Sequence, residues 1–143
     1  MGKRIIIISI IMAVLMSGAI YGFYIKETKR SSIYLMQIGA YKNYDNVIKN
    51  TKGIENYFVL KENDLYKVFI GITASDDVYT KLLKTYGNEY NSYKKTINLT
   101  DKELENKIIK YDSLINKVET KEEMDIIIKE EIKMVSNIFD ETV

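Results

Sequence analysis

The sequence predicts an α+β protein. Its centre is a βαββαβ sandwich, a four-stranded antiparallel sheet with two helices on one face, preceded by one transmembrane helix and followed by an αα-hairpin. Three observations lead to this reading. Tyr34-Leu-Met-Gln-Ile-Gly-Ala-Tyr41 and Tyr66-Lys-Val-Phe-Ile-Gly-Ile-Thr73 are both apolar, β-prone runs, and their glycines, Gly39 and Gly71, lie 32 residues apart. Each run is followed by a polar turn and then a helical pattern, so the chain repeats a strand–glycine–helix–strand half. Outside the repeat, an uncharged run of 21 residues stands near the start, and two helix-capping sequences stand near the end.

Residues 1–30 form a short basic stub and a membrane anchor. As a helix, Ile5 to Ile25 would be about 31 Å long at about 1.5 Å per residue, which suits a hydrocarbon layer of about 30 Å. Lys3 and Arg4 precede the span, Lys26, Lys29 and Arg30 follow it, and Tyr21, Phe23 and Tyr24 sit where aromatic rings favour the water interface. The short basic head is expected to stay in the cytoplasm. Ser17 and Ala19 leave a cleaved signal peptide as the alternative. Either reading puts residues 31–143 on the extracytoplasmic side, the first as a single-pass membrane protein.

Residues 31–99 carry the sheet. Ile33–Gly39 reads as the first strand, with Tyr34, Met36 and Ile38 on one face and Leu35, Gln37 and Gly39 on the other. Asn43 is a candidate cap for a helix over Tyr44–Lys52, with Val47 and Ile48 turned to the core. Gly53 fits the position just past that helix. Tyr57–Lys61 is the second strand, and the turn Glu62-Asn63-Asp64 returns Leu65–Gly71 as its hairpin partner. Ser75 caps a second helix, whose stripe is Val78, Tyr79, Leu82, Leu83 and Tyr86, and Gly87 closes it. Tyr90–Leu99 is the fourth strand, at an edge.

Residues 100–143 form an acidic two-helix extension. Thr100-Asp-Lys-Glu103 and Thr120-Lys-Glu-Glu123 have the form of capping boxes. Leu104, Ile108, Tyr111, Ile115 and Val118 make one seam; Met124, Ile127, Ile128, Ile132, Val135 and Phe139 make the other. These stripes must be buried by each other, by the sheet or by a second chain. In the first case the sheet keeps an open face; in the second the helices can cover it.

Composition narrows the function. Residues 1–30 carry five basic and one acidic residue, 31–99 nine and seven, and 100–143 seven and twelve, so no segment is basic enough for nucleic acid. The chain has no Cys, His, Pro or Trp. That removes thiolate and imidazole metal ligands and the usual nucleophile–histidine pairs. No glycine-rich phosphate loop occurs. The carboxylates sit in helical patterns where charge is ordinarily solvated, so no catalytic site, metal or cofactor is expected.

Residues 33–99 resemble a SPOR domain, the small module of bacterial cell-wall proteins. That family opens with a strand ending Gln-x-Gly-small-aromatic, here Gln37-Ile38-Gly39-Ala40-Tyr41, and its hairpin strand runs Tyr-Arg-Val-x-x-Gly, here Tyr66-Lys67-Val68-Phe69-Ile70-Gly71. Ala40 stands in place of the usual serine, Lys67 of arginine, and Ile72-Thr73 of proline and an aromatic. The resemblance implies binding of peptidoglycan glycan strands stripped of their stem peptides, along the open face of the sheet. It also implies a setting in division, wall remodelling or sporulation.

Within that reading the candidate glycan-binding residues are Gln37, Ala40, Lys67 and Phe69. A sugar strand is rich in hydroxyls and has flat ring faces. An amide such as Gln37 both donates and accepts, Lys67 donates to a hydroxyl or lactyl carboxylate, and Phe69 offers a stacking surface. Ala40 occupies the small-residue position of the motif. The alternative function is a membrane-anchored adaptor whose C-terminal helices recruit a protein or self-associate, with the sheet serving as structure only. RNA binding by a βαββαβ sheet would need aromatics and arginines on the central strands, and the chain has only two arginines, Arg4 and Arg30.

Overall fold

The computed structural model describes residues 31–140. The expected membrane span at 5–25 lies outside them, and among the described residues no helix is long and apolar enough to cross a membrane. The elements are β1 (Ser31–Tyr41), α1 (Tyr44–Asn50), β2 (Phe58–Glu62), β3 (Leu65–Thr73), α2 (Asp76–Tyr86), β4 (Tyr93–Leu99), α3 (Lys102–Lys117) and α4 (Lys121–Asp140). The strands form one antiparallel sheet in the order β2-β3-β1-β4. The two repeated segments, β1 and β3, are its central pair.

Local chemistry explains most boundaries. Asn63 and Asp64 both adopt positive φ, 51° and 61°, so β2 and β3 are joined by a two-residue turn of the primed kind, which matches strand twist. Gly53 takes φ 94° just beyond α1, a conformation that disfavours a side chain. Asn43 makes no side-chain cap to α1, whereas Ser75 accepts from the Val78 amide at the start of α2. In α3 the cap is Asp101 rather than Thr100; its carboxylate accepts from the amides of Glu103 (2.9 Å) and Leu104 (3.1 Å). In α4 the capping box forms reciprocally: Thr120 Oγ1 accepts from the Glu123 amide, and Glu123 Oε2 from the Thr120 amide.

The ladders assign the helices to faces. On the back, Tyr34 packs edge-on against Tyr79 of α2, and Tyr66 against Tyr44 of α1. α1 and α2 therefore share one face, as expected. On the front, Phe58 and Phe69 are cross-strand partners, and Phe58 stacks on both Phe69 (5.2 Å) and Phe139 of α4 (6.3 Å). The C-terminal hairpin thus lies on the front. β2 pairs with β3 only as far as Phe69, which leaves the edge of β3 beyond it free, and α3 docks there. Asp112 of α3 accepts from the Ala74 amide at 2.9 Å, and Lys81 of α2 donates to the Ile115 carbonyl at the C-terminal end of α3 at 2.7 Å.

Ile33, Leu35, Phe69 and Ile72 are at most 1 % exposed and share a single core with Ile108, Ile115, Met124 and Ile127 of the hairpin. That core also holds charge. Asp112 and Glu131 are buried, although the sequence pattern had placed the helix carboxylates in solvent. Burial raises the Asp112 pKa to about 6, against the hydrogen bonds it accepts. Burial, and then the Asp112 charge, push Glu131 well above the usual carboxylate range. Neither Glu131 oxygen meets a donor among the described residues.

Two predictions follow from this core. Exposing a large apolar side chain costs about 1.5–3 kcal/mol, so uncovering four costs roughly 6–12 kcal/mol, comparable to a whole domain's stability of about 5–15 kcal/mol. Residues 31–99 expressed alone should therefore fail to give a cooperative thermal transition, whereas residues 31–143 should give one. The second concerns pH. Asp112 and Glu131 have folded pKa values above their unfolded ones, near 4. Their contribution is fully present below pH 4 and is lost as pH rises through about 6 for Asp112 and higher for Glu131. Urea unfolding should show stability falling by about 2 kcal/mol or more between pH 5 and pH 8. Glu131→Gln should flatten that fall; an unchanged slope in the variant would refute the assignment.

Candidate functional site

Two irregularities in the central strands set the site. Pairing passes from Met36↔Gly71 to Gln37↔Phe69, which leaves Ile70 unpaired, and then to Gly39↔Val68, which leaves Ile38 unpaired. Each extra residue reverses the alternation of its strand. Gln37 and Ala40, three residues apart, would otherwise face opposite ways. With the bulge at Ile38 they pair with Phe69 and Lys67, so both belong to the front. Gly39, expected beside Gln37, turns to the back instead.

Gly39 serves close packing. It lies inside β1, and its φ is not positive. A Cβ there would lie 2.6 Å from the Tyr41 phenol oxygen, so the bare backbone is what lets the Tyr41 ring lie across it. The Gln-x-Gly-small-aromatic sequence is thereby one physical unit. The aromatic folds back over the glycine on the helix side, and the glutamine and the small residue are left in front.

The front face is divided. Its first half, with Ile33, Leu35, Phe69, Ile72 and Phe58, is buried beneath α3 and α4. Phe69 is 0 % exposed, so it is a core residue and not the stacking surface expected of it. The sequence could not exclude this, because an apolar residue on an open face and one beneath a later helix look alike.

The other half is uncovered. There Gln37 is half-buried, Ala40 exposed and Lys67 half-buried, so three of the four candidates come together. β4 adds two residues that were not singled out. Tyr93 pairs with Gln37 and Lys95 with Leu35, which puts both on the front; Tyr93 is 62 % exposed. The alternation of Tyr93, Lys95, Ile97 and Leu99 against Lys94, Thr96 and Asn98 carried that signal. Lys94 confirms the alternation from behind, lying over the Tyr34 ring at 4.0 Å and pairing with Asp76 of α2.

Charge is concentrated at this end. Glu62, the last residue of β2, accepts through Oε2 from Lys67 Nζ (2.7 Å) and from Lys95 Nζ. These hydrogen bonds hold its pKa down at about 2, and the Glu62 contact raises that of Lys67. Among the described residues no group of three or more acidic side chains is placed to hold a metal ion. A concavity of about 700 Å³ lies elsewhere, between the start of β1 and α3, lined by Ser31, Tyr34, Ser75, Glu105, Asp112 and Asn116 among others. It takes in none of Gln37, Ala40, Lys67 and Phe69. The uncovered end of the front face is therefore the candidate site.

No family model and no curated protein matches the chain. Among solved structures, the chain is similar to the peptidoglycan binding domain of the B. subtilis cell wall lytic enzyme CwlC, at 29% identity and a TM-score of 0.41. The match covers 52% of this chain and 100% of that domain, which leaves nearly half of the present chain without a counterpart in it. That domain is a SPOR domain, the family that Gln37–Tyr41 in β1 and Tyr66–Gly71 in β3 resemble.

Proposed function

We propose that this chain binds the glycan strands of peptidoglycan, without catalysis, through the uncovered end of its sheet. One observation carries the reading: Gln37, Ala40 and Lys67 lie together on exposed strand surface beside the open ring of Tyr93. Gln37 supplies an amide that donates and accepts, and Ala40 leaves room for close approach. Tyr93 takes over the stacking role that Phe69 cannot fill, since a flat ring beside an amide suits the apolar face of a sugar. The residues before Ser31 supply a single-pass membrane anchor, with residues 31–143 on the extracytoplasmic side. The chain would then tether membrane to wall during division, wall remodelling or sporulation.

The adaptor alternative draws less support. Leu104, Ile108, Ile115, Met124, Ile127, Ile128, Ile132 and Val135 are all buried against their own sheet and each other, so the stripes meant for a partner or for self-association are already used.

A soluble fragment comprising residues 31–143 should pellet with purified sacculi, and more so after an amidase has removed stem peptides. Gln37→Ala and Tyr93→Ala should each weaken pelleting by about tenfold, the loss of roughly 1.4 kcal/mol, with thermal stability little changed. Phe69→Ala should instead lower stability by about 3–5 kcal/mol. Absence of pelleting under every treatment would end this reading.

A further inference from the structure

The salt link on the front face points to the chemistry of the ligand. Lys67 comes from β3 and Lys95 from β4, strands separated by β1, yet both ammonium groups meet a single oxygen of Glu62 at the end of β2. The link therefore reaches across the width of the sheet on the side of Gln37 and Tyr93. The lysine side chains are 18 % and 22 % exposed, whereas that of Glu62 is 46 % exposed. The cations are held against the sheet, and the anion is the freer partner.

We propose, on the reading of this face as a sugar-polymer site, that Glu62 is an internal stand-in for a carboxylate of the ligand. A carboxylate borne by the polymer displaces Glu62 and is bound by Lys67 and Lys95. The exchange trades one set of charge-assisted hydrogen bonds for another. It costs little, because an ion pair at a surface contributes only about 0–1 kcal/mol. Removing Glu62 without a replacement would leave two ammonium groups facing one point with no counter-charge, which is an anion site. The chemistry selects among polymers: a neutral sugar chain offers this pair hydroxyl acceptors but no counter-charge. A glycan whose lactyl ether ends in a free carboxylate supplies it, and one whose lactyl group is tied up as an amide does not.

The experiment measures binding of residues 31–143 to three soluble polymers: glycan strands with free lactyl carboxylates, the same strands with those carboxylates reduced to alcohols, and a polyglycerol phosphate. Glu62→Gln should bind the carboxylate glycan about three- to tenfold more tightly than the unaltered protein, because the competitor has lost its charge. Lys95→Gln and Lys67→Gln should bind it about tenfold more weakly, with unchanged melting temperatures. Neither Glu62→Gln nor Lys95→Gln should change binding to the reduced glycan. Equal binding of the charged and reduced glycans, or no gain from Glu62→Gln, overturns the exchange while leaving the sugar-binding reading intact. Preference for the phosphate polymer over the glycan overturns the carboxylate assignment. Failure to bind either glycan overturns both readings.

Discussion

The rest of the structure depends on the contact between the C-terminal hairpin and the front of the sheet. Phe58 stands between Phe69 of the central strand and Phe139 of the last helix, and Ile33, Leu35 and Ile72 of the same core lose nearly all contact with water. A two-layer βαββαβ unit would leave that surface bare. Here its apolar half belongs to a core shared by three layers, α2 behind, the sheet between, and α3 and α4 in front. The extension is therefore structural, and by covering half of the face it also sets the limits of the site.

Charge follows the same division. Beneath the hairpin, Asp112 and Glu131 are carboxylates taken out of water, and the cost of desolvation keeps their protons on at higher pH than usual. Asp112 recovers part of that cost by accepting the Ala74 amide, which fixes α3 to the free edge of β3. At the uncovered end the situation is reversed. Glu62 remains hydrated and meets two lysines, so it stays ionised well into the acid range. One carboxylate environment serves packing, and the other presents charge to whatever lies on the sheet.

Much of the fold was legible in the sequence for local reasons. The β2–β3 hairpin pairing, the Asn63-Asp64 turn, the Ser75 cap and the Thr120–Glu123 box are all short-range interactions, and each formed near its expected place. The α3 cap moved by one residue because Asp101 competes with Thr100 for the same amides and carries a full negative charge at the positive end of the helix. The site was legible in part. Gln37 and Lys67 could be placed by alternation, Ala40 only by its motif, and Tyr93 and Lys95 by a pattern in β4 whose relation to the other strands depends on register.

The amino-acid sequence by itself determined the order of elements, the hairpin, the helix starts and the apolar stripes, because these rest on neighbours along the chain. Tertiary structure alone decided which side of the sheet received those stripes, where the two bulges reversed the strand alternation, and that Phe69 would be buried while Tyr93 stayed open. The reason is physical: an apolar surface specifies that it must be covered but not by what, and the identity of the cover is settled only when distant segments compete for the same face.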